Sequence, residues 1–155
     1  MGTDPKVFLS HRQPKLLQEH ELSSMNLQEK RALMARFRGK DSKPEILVRQ
    51  ALHRHGRRFR LHRKDLPGKP DIVLPRWRTV VFVHGCFWHA HPDCKIARVP
   101  RTNLEFWQAK FNANKLRDQE VQRALQNLGW RVVTVWECGA KSPDLEVLLG
   151  TKGLV

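Results

Sequence analysis

The sequence predicts an α/β domain in which helices flank one small mixed sheet. Three observations carry that expectation. Short apolar runs at 71–74, 79–84 and 130–136 have the length of strands. Segments starting at Ser42 and Thr102 instead space their apolar residues at helical intervals. The order of these pieces is helix, strand pair, helix, strand, which suits a layered mixed sheet. At 155 residues the chain is long enough for one cored domain and short for two.

Residues 1–26 mix Pro5, Pro14, Ser23 and Ser24 with little periodicity and read as a tail or arm, and 27–155 as the cored domain. A short helix is expected near Leu27–Arg36. Ser42-Lys-Pro-Glu45 has the form of a capping box: a serine N-cap, proline in the first turn and a glutamate three residues on. Leu47, Val48, Ala51 and Leu52 form the stripe of that helix, and Gly56 stops it. Phe59–His62 is a strand candidate, and Asp65-Leu-Pro-Gly-Lys-Pro70 is a turn-rich link. Asp71–Leu74 and Thr79–His84 then read as neighbouring strands, the second apolar almost throughout, as a strand covered on both faces is. Thr102-Asn-Leu-Glu105 is a second capping-box pattern, and its helix is expected to run to Asn127. Phe106, Phe111, Val121, Leu125 and Leu128 would supply its packed faces, with Gly129 ending it. Trp130–Trp136 is the last strand.

The formal charge is +14, unevenly distributed. Lys30–Arg78 holds 16 Lys/Arg against Asp41, Glu45, Asp65 and Asp71. Such an imbalance suits a polyanion, most simply nucleic acid. No apolar stretch approaches the roughly 20 residues that cross a bilayer, and no signal-peptide pattern opens the chain. Three cysteines, an odd number, fit a disulfide framework poorly. The expected setting is reducing and cytoplasmic.

His84-Gly-Cys-Phe-Trp-His-Ala-His-Pro-Asp-Cys94 concentrates two of those cysteines and three histidines directly after an apolar strand. Cys86, His91 and Cys94 supply three ligands within one loop, and Cys138 just past the last strand is placed to close a tetrahedron. Thiolates and imidazole favour zinc, and four protein ligands make the site structural. His89 is an alternative to His91 on spacing alone. Asp71 stands out from the basic field at the start of a strand, where a carboxylate can hold a hard divalent ion. The main chain at Val83, His84 and His89 lies near in sequence. Glu45 is open to two uses, capping its helix or ordering water.

The run from Arg38-Gly-Lys-Asp-Ser-Lys-Pro-Glu45 through Leu66-Pro-Gly-Lys-Pro-Asp71, Val81-Phe-Val-His-Gly-Cys-Phe-Trp-His89, Phe106-Trp107, Asn114, Arg117-Asp118 and Gly129-Trp-Arg-Val to Trp136-Glu-Cys138 resembles the very short patch repair DNA mismatch endonucleases. The resemblance covers about residues 27–140. It implies a restriction-endonuclease-like fold with one structural zinc and a magnesium-dependent activity, with two Mg2+ ions. That activity nicks double-stranded DNA 5′ of the thymine in a T:G mismatch, the product of 5-methylcytosine deamination. It makes Asp71 and the Val83 carbonyl the magnesium ligands and His89 the general base. His84 and Glu45 would order waters, with Asn114 and Asp118 in support, and Cys86, His91, Cys94 and Cys138 would hold zinc.

The same resemblance implies that Phe87, Trp88, Trp107 and Met34 enter the base stack. Arg36, Arg38, Lys40, Arg57, Arg58, Arg60 and Arg63 would grip phosphates, which positions a duplex without reading its bases. The enzyme would act as a monomer on the nucleoid of a prokaryotic cell, with repair proteins as possible partners. Two departures stand out. Valine occupies 83 where a familiar member of the family has threonine, and one more residue separates His91 from Cys94 than in that member. The fold's usual Glu-x-Lys element after the aspartate is absent, because the strand reads Val81-Phe-Val83, and this throws the base role onto His89. A related nuclease of other specificity, or an inactive zinc-stabilised DNA-binding module, are the alternative readings.

Overall fold

The computed structural model describes Gln28, residues 40–99 and residues 101–155. The arm at 1–26, most of the helix expected near 27–36, and with them Met34, Arg36 and Arg38, lie outside the described residues. The fold is carried by the compact unit Arg38–Val155. Its elements are α1 (Lys43–Arg54), β1 (Arg60–Leu61), β2 (Ile72–Leu74), a 3-10 turn (Pro75–Trp77), β3 (Thr79–His84), α2 (Leu104–Asn127), β4 (Arg131–Trp136), α3 (Glu137–Ala140) and α4 (Leu145–Thr151).

The four strands lie in the order β1-β2-β3-β4. The first two pairings are antiparallel, as a short connection allows, and β4 runs parallel to β3 after the long crossover through α2. The side-chain period of two then explains why β3 is apolar at nearly every position. Val81 faces α1, packing with Val48, Ala51, Leu52, Ile72, Leu74, Val133 and Val135. Val80 faces the other way, into Leu66, Val73 and Leu125, with Val121 and Trp130 alongside. Two cores therefore clamp one strand, and each fully buried aliphatic side chain contributes about 1.5–3 kcal/mol.

Helix α1 starts as expected. Both the hydroxyl and the N–H of Ser42 donate to Glu45 Oε1, at 2.7 and 3.4 Å. Helix α2 does not. Its N-cap is Asn103, in the left-handed region at φ 56°, and no side-chain cap bond forms there. Asparagine enters that region more readily than threonine, so the chain turns one residue later than the Thr102 pattern suggests. Phe106 and Leu128 stay outside the packed faces, 62% and 52% exposed. The strand expected over Phe59–His62 contracts to Arg60–Leu61 at the sheet edge, because Phe59 packs into the α1 core and His62 turns away at φ 46°.

The C-terminal helices α3 and α4 were not legible as strand or helix in the apolar pattern after Trp136. They bring Ala140, Leu145 and Leu149 over the α1 core, with Leu154 following. Gly68 has a more specific task. It adopts φ 70°, and a Cβ there would meet Val121 Cγ1 at 2.3 Å, so only glycine lets the Leu66–Pro70 turn close onto α2. That turn delivers Asp71 to the head of β2.

Candidate metal centres and catalytic groups

The register of β3 with β4 sets His84 beside Trp136, so the loop after β3 and the residues after β4 emerge at the same sheet end. There Cys86, His91, Cys94 and Cys138 bring their ligand atoms within 4.8 Å of one another. His91 Nδ1 lies 3.6 Å from Cys86 Sγ and 3.5 Å from Cys138 Sγ. Zinc bonds of about 2.3 Å to sulfur and 2.0–2.1 Å to nitrogen, arranged tetrahedrally, place those atoms about 3.6 Å apart. The donor set and its spacing thus fit a structural zinc.

Burial pushes the Cys86 thiol up to about 12, so without a cation this sulfur stays protonated. Cys94 is held below the usual thiol range, chiefly by a backbone hydrogen bond from Ile96. Glu137 ties the loop down as well, its Oε2 accepting the Cys86 N–H at 3.3 Å. On spacing alone His89 and His91 were equivalent. The geometry separates them.

His89 turns to α2, where its Nδ1 lies 2.5 Å from Asp118 Oδ2. A carboxylate oxygen only accepts, so Nδ1 carries the hydrogen and Nε2 is left as an acceptor. The His84 ring stacks on His89, centroids 3.8 Å apart and planes 8° apart. Burial first, and then the neighbouring His89, push His84 down to about 4, so it is neutral at physiological pH. Trp136 joins the two groups, stacking on His91 at 4.1 Å and meeting the edges of His84 and His89 at 5.5 and 6.5 Å. Asn114 is buried on α2. Its Nδ2 donates to the Trp88 carbonyl at 2.8 Å and its Oδ1 accepts from Arg117, which fixes the aromatic loop.

Asp71 sits beside the same strand end. Its Oδ2 accepts the Val83 N–H at 2.7 Å, and its other oxygen takes no hydrogen bond among the described residues. Burial is the main cause that raises its carboxyl from an ordinary 3.8 to about 6, and Glu45 adds repulsion. A half-buried carboxylate with one protein donor keeps an oxygen available, and a hard cation would neutralise it.

Glu45 does cap α1, and its charge adds to the repulsion that Asp71 feels. Its Oε2 accepts from Asp41 N–H at 3.0 Å and from Arg49 at 2.8 Å. Arg49 also reaches Asp41 at 2.5 Å and His62 Nε2 at 3.1 Å. Its guanidinium therefore occupies the middle of the Asp41, Glu45 and His62 group, the place a metal would take. Arg49 and His62 escaped the sequence reading, although Arg49 stands four residues after Glu45, the spacing of a helical ion pair.

Phe87, Trp88 and Trp107 form one half-buried aromatic group. Phe87 lies 5.1 Å from Trp88, 5.2 Å from Trp107 and 5.6 Å from the buried Phe111, all edge to face. Trp107, Phe111, Asn114 and Asp118 recur at helical intervals, so α2 offers aromatics, amide and carboxylate from one face. Of the arginines expected to grip phosphate, Arg58 and Arg60 are exposed, as is Lys40. Arg63 is held bidentately by Asp65. Arg57 packs over Trp77, 4.5 Å from its centroid, in the turn between β2 and β3.

The sheet, the Cys3His cluster and the adjoining carboxylate and imidazole groups define a small mixed α/β domain with two distinct donor centres. Comparison with known proteins gives this class its family. The DNA mismatch endonuclease Vsr profile matches residues 24–96. A type II nicking enzyme of Xanthomonas oryzae pv. oryzae is 54% identical over 109 residues, covering 70% of this chain and 79% of the relative. One from Neisseria meningitidis is 43% identical over 110 residues, covering 71% and 78%. The DNA mismatch endonuclease Vsr of Escherichia coli is 43% identical over 105 residues, covering 68% and 67%. The chain belongs to the Vsr family of DNA mismatch and nicking endonucleases. Among the described residues no helix is long and apolar enough to cross a membrane.

Proposed function

We propose that this protein is a magnesium-dependent endonuclease that cuts one strand of duplex DNA, 5′ of the thymine in a T:G mismatch left by 5-methylcytosine deamination. One observation carries the nuclease reading: the Asp71 carboxylate, with one oxygen free of donors among the described residues, and the His89–Asp118 pair emerge from one end of the β2–β3 strand pair. The family supports the DNA substrate. The mismatch is the reading of the motifs shared with the mismatch endonucleases.

On this reading Asp71 and the Val83 carbonyl would hold the divalent ion, and such ions would supply positive charge to the phosphate as it is cut. His89, aligned by Asp118, accepts through Nε2 the proton of the attacking water. A P–O bond forms to that water and the bond to the 3′ oxygen breaks. His84, neutral and stacked on His89, restrains the imidazole. Asp118→Asn should therefore leave DNA binding in place and lower the nicking rate about a hundredfold, measured under single turnover. An unchanged rate would remove Asp118 from the alignment.

Zinc at Cys86, His91, Cys94 and Cys138 braces the loop that carries both His89 and the aromatics. Phe87, Trp88 and Trp107, with Met34 from the N-terminal segment, unstack the mismatched step. Unstacking costs a few kcal/mol and less where pairing is already weak, which gives selectivity a physical origin. Arg36, Arg38, Lys40, Arg60 and Arg63 grip phosphates, residues 1–26 form a DNA-contacting arm, and 27–155 form the nuclease domain.

A second reading, a nicking enzyme of other specificity, is favoured by the five type II nicking enzymes among the relatives. Initial rates on paired duplexes differing only in one T:G or C:G pair distinguish the two. A T:G preference of a hundredfold or more is expected. Equal rates would assign the second reading.

A further inference from the structure

The end of the sheet remote from His84 carries arginines that have no hydrogen-bond or ion-pair partner among the described residues. Thr79 opens β3 and His84 closes it, five steps and so about 16 Å away. Beside Thr79, the turn Pro75–Arg78 is exposed. Trp77 presents its indole there, 37% exposed, with the guanidiniums of Arg57 and Arg76 at 4.5 and 5.6 Å from the ring centroid. Arg58 follows Arg57 and is exposed.

The neighbouring arginines have internal partners. Arg54 pairs with Glu146. Arg78 donates to the Leu128 and Gly129 carbonyls that end α2, and Arg131 to the Lys152 and Gly153 carbonyls. Arg57, Arg58 and Arg76 have no hydrogen-bond or ion-pair partner among the described residues, and Arg57 Nε is buried without one. No acid occurs from Ile72 to Pro92 or from Gly56 to Lys64 to neutralise them locally. An Arg fork suits phosphate bidentately, and stacking on an indole holds the fork in place before a ligand arrives.

We propose that Arg57, Arg58, Arg76 and Trp77 form a second DNA-contacting surface, which takes the phosphate backbone of duplex lying outside the nicking site. This surface takes a second segment of DNA or a distant stretch of the same molecule, and the number of duplexes bound separates that from extra contacts to the duplex already at the nicking site. The inference rests on the DNA-nicking reading and is tested separately from it, by binding rather than by cutting.

The test is the stoichiometry of the whole chain with a 12-bp T:G duplex (a length of about 40 Å at 3.4 Å per step) at low salt, by native mass spectrometry and titration calorimetry. The wild type is expected to bind two duplexes, the weaker one lost first as salt rises. Arg76→Glu is expected to weaken the second site at least tenfold and leave the first within twofold. Arg76 is exposed and touches only the Trp77 ring, so folding is not at stake in that variant. Trp77→Ala should weaken the same site. A single duplex on the wild type would overturn the proposal, as would two duplexes in both variants at unchanged affinity, or an equal loss at both sites. A folded protein that binds two duplexes but nicks neither would sink the nicking reading and leave this surface standing.

Discussion

Asp71→Asn is expected to abolish nicking and, at the same time, to stabilise the fold. The activity loss should be at least about a thousandfold, roughly 4 kcal/mol of transition-state stabilisation, because the proposed principal metal ligand is gone. The stability gain follows from burial. Asp71 titrates near 6 in the folded chain against an ordinary 3.8. Between those values the folded chain keeps a proton that the unfolded chain has released, so the native state loses stability as pH rises through the window.

Above about pH 6 the full penalty stands, up to about 3 kcal/mol at ~1.4 kcal/mol per pH unit. Asparagine keeps an acceptor for the Val83 N–H without the charge. In the absence of magnesium, thermal melts of the variant and wild type should differ at pH 7.5 and converge near pH 4. The same titration makes magnesium binding weaken about tenfold per pH unit below about 6, since the ligand must be deprotonated. A variant no more stable than wild type at pH 7.5 would mean that Asp71 bears no burial penalty.

The second large effect separates two histidines that stand two residues apart. His91→Ala and Cys138→Ser should both lose stoichiometric zinc and more than about 3 kcal/mol of stability, since structural zinc binding energy is folding energy. His89→Ala should keep its zinc and its melting temperature, and lose nicking by about 10²–10⁴-fold. Atomic absorption on the purified proteins, run beside melts and single-turnover assays, checks all three. Zinc lost from His89→Ala but kept by His91→Ala would exchange their assignments.

Much of this was legible beforehand because strong local patterns agree with the fold. The Ser42–Glu45 box, the apolar β3 and the Cys-x4-His-x2-Cys spacing each say locally what packing later requires. Asp118 and Asn114 were found through a family likeness, although their spacing from Phe111 already sets them on one helix face. What stayed hidden is non-local. Arg49 meets Asp41 and His62 only because an edge strand folds back over α1. The choice between His89 and His91 depends on α2 arriving from one side and α3 from the other. Charge alone does not order the basic stretch: Arg57 stacks on Trp77 beside the Thr79 end of β3, a placement that only the fold sets. The capping pattern at Thr102 failed because a left-handed asparagine competes for the same turn.

Strand scission on a T:G duplex labelled separately on both strands measures the central claim most directly. With magnesium, wild type should release one product, cut 5′ of the thymine, from the thymine strand alone. Without magnesium, or with Asp71→Asn, both strands should remain whole. Cutting of both strands, or cutting that persists in Asp71→Asn, would contradict a single-strand endonuclease built on Asp71.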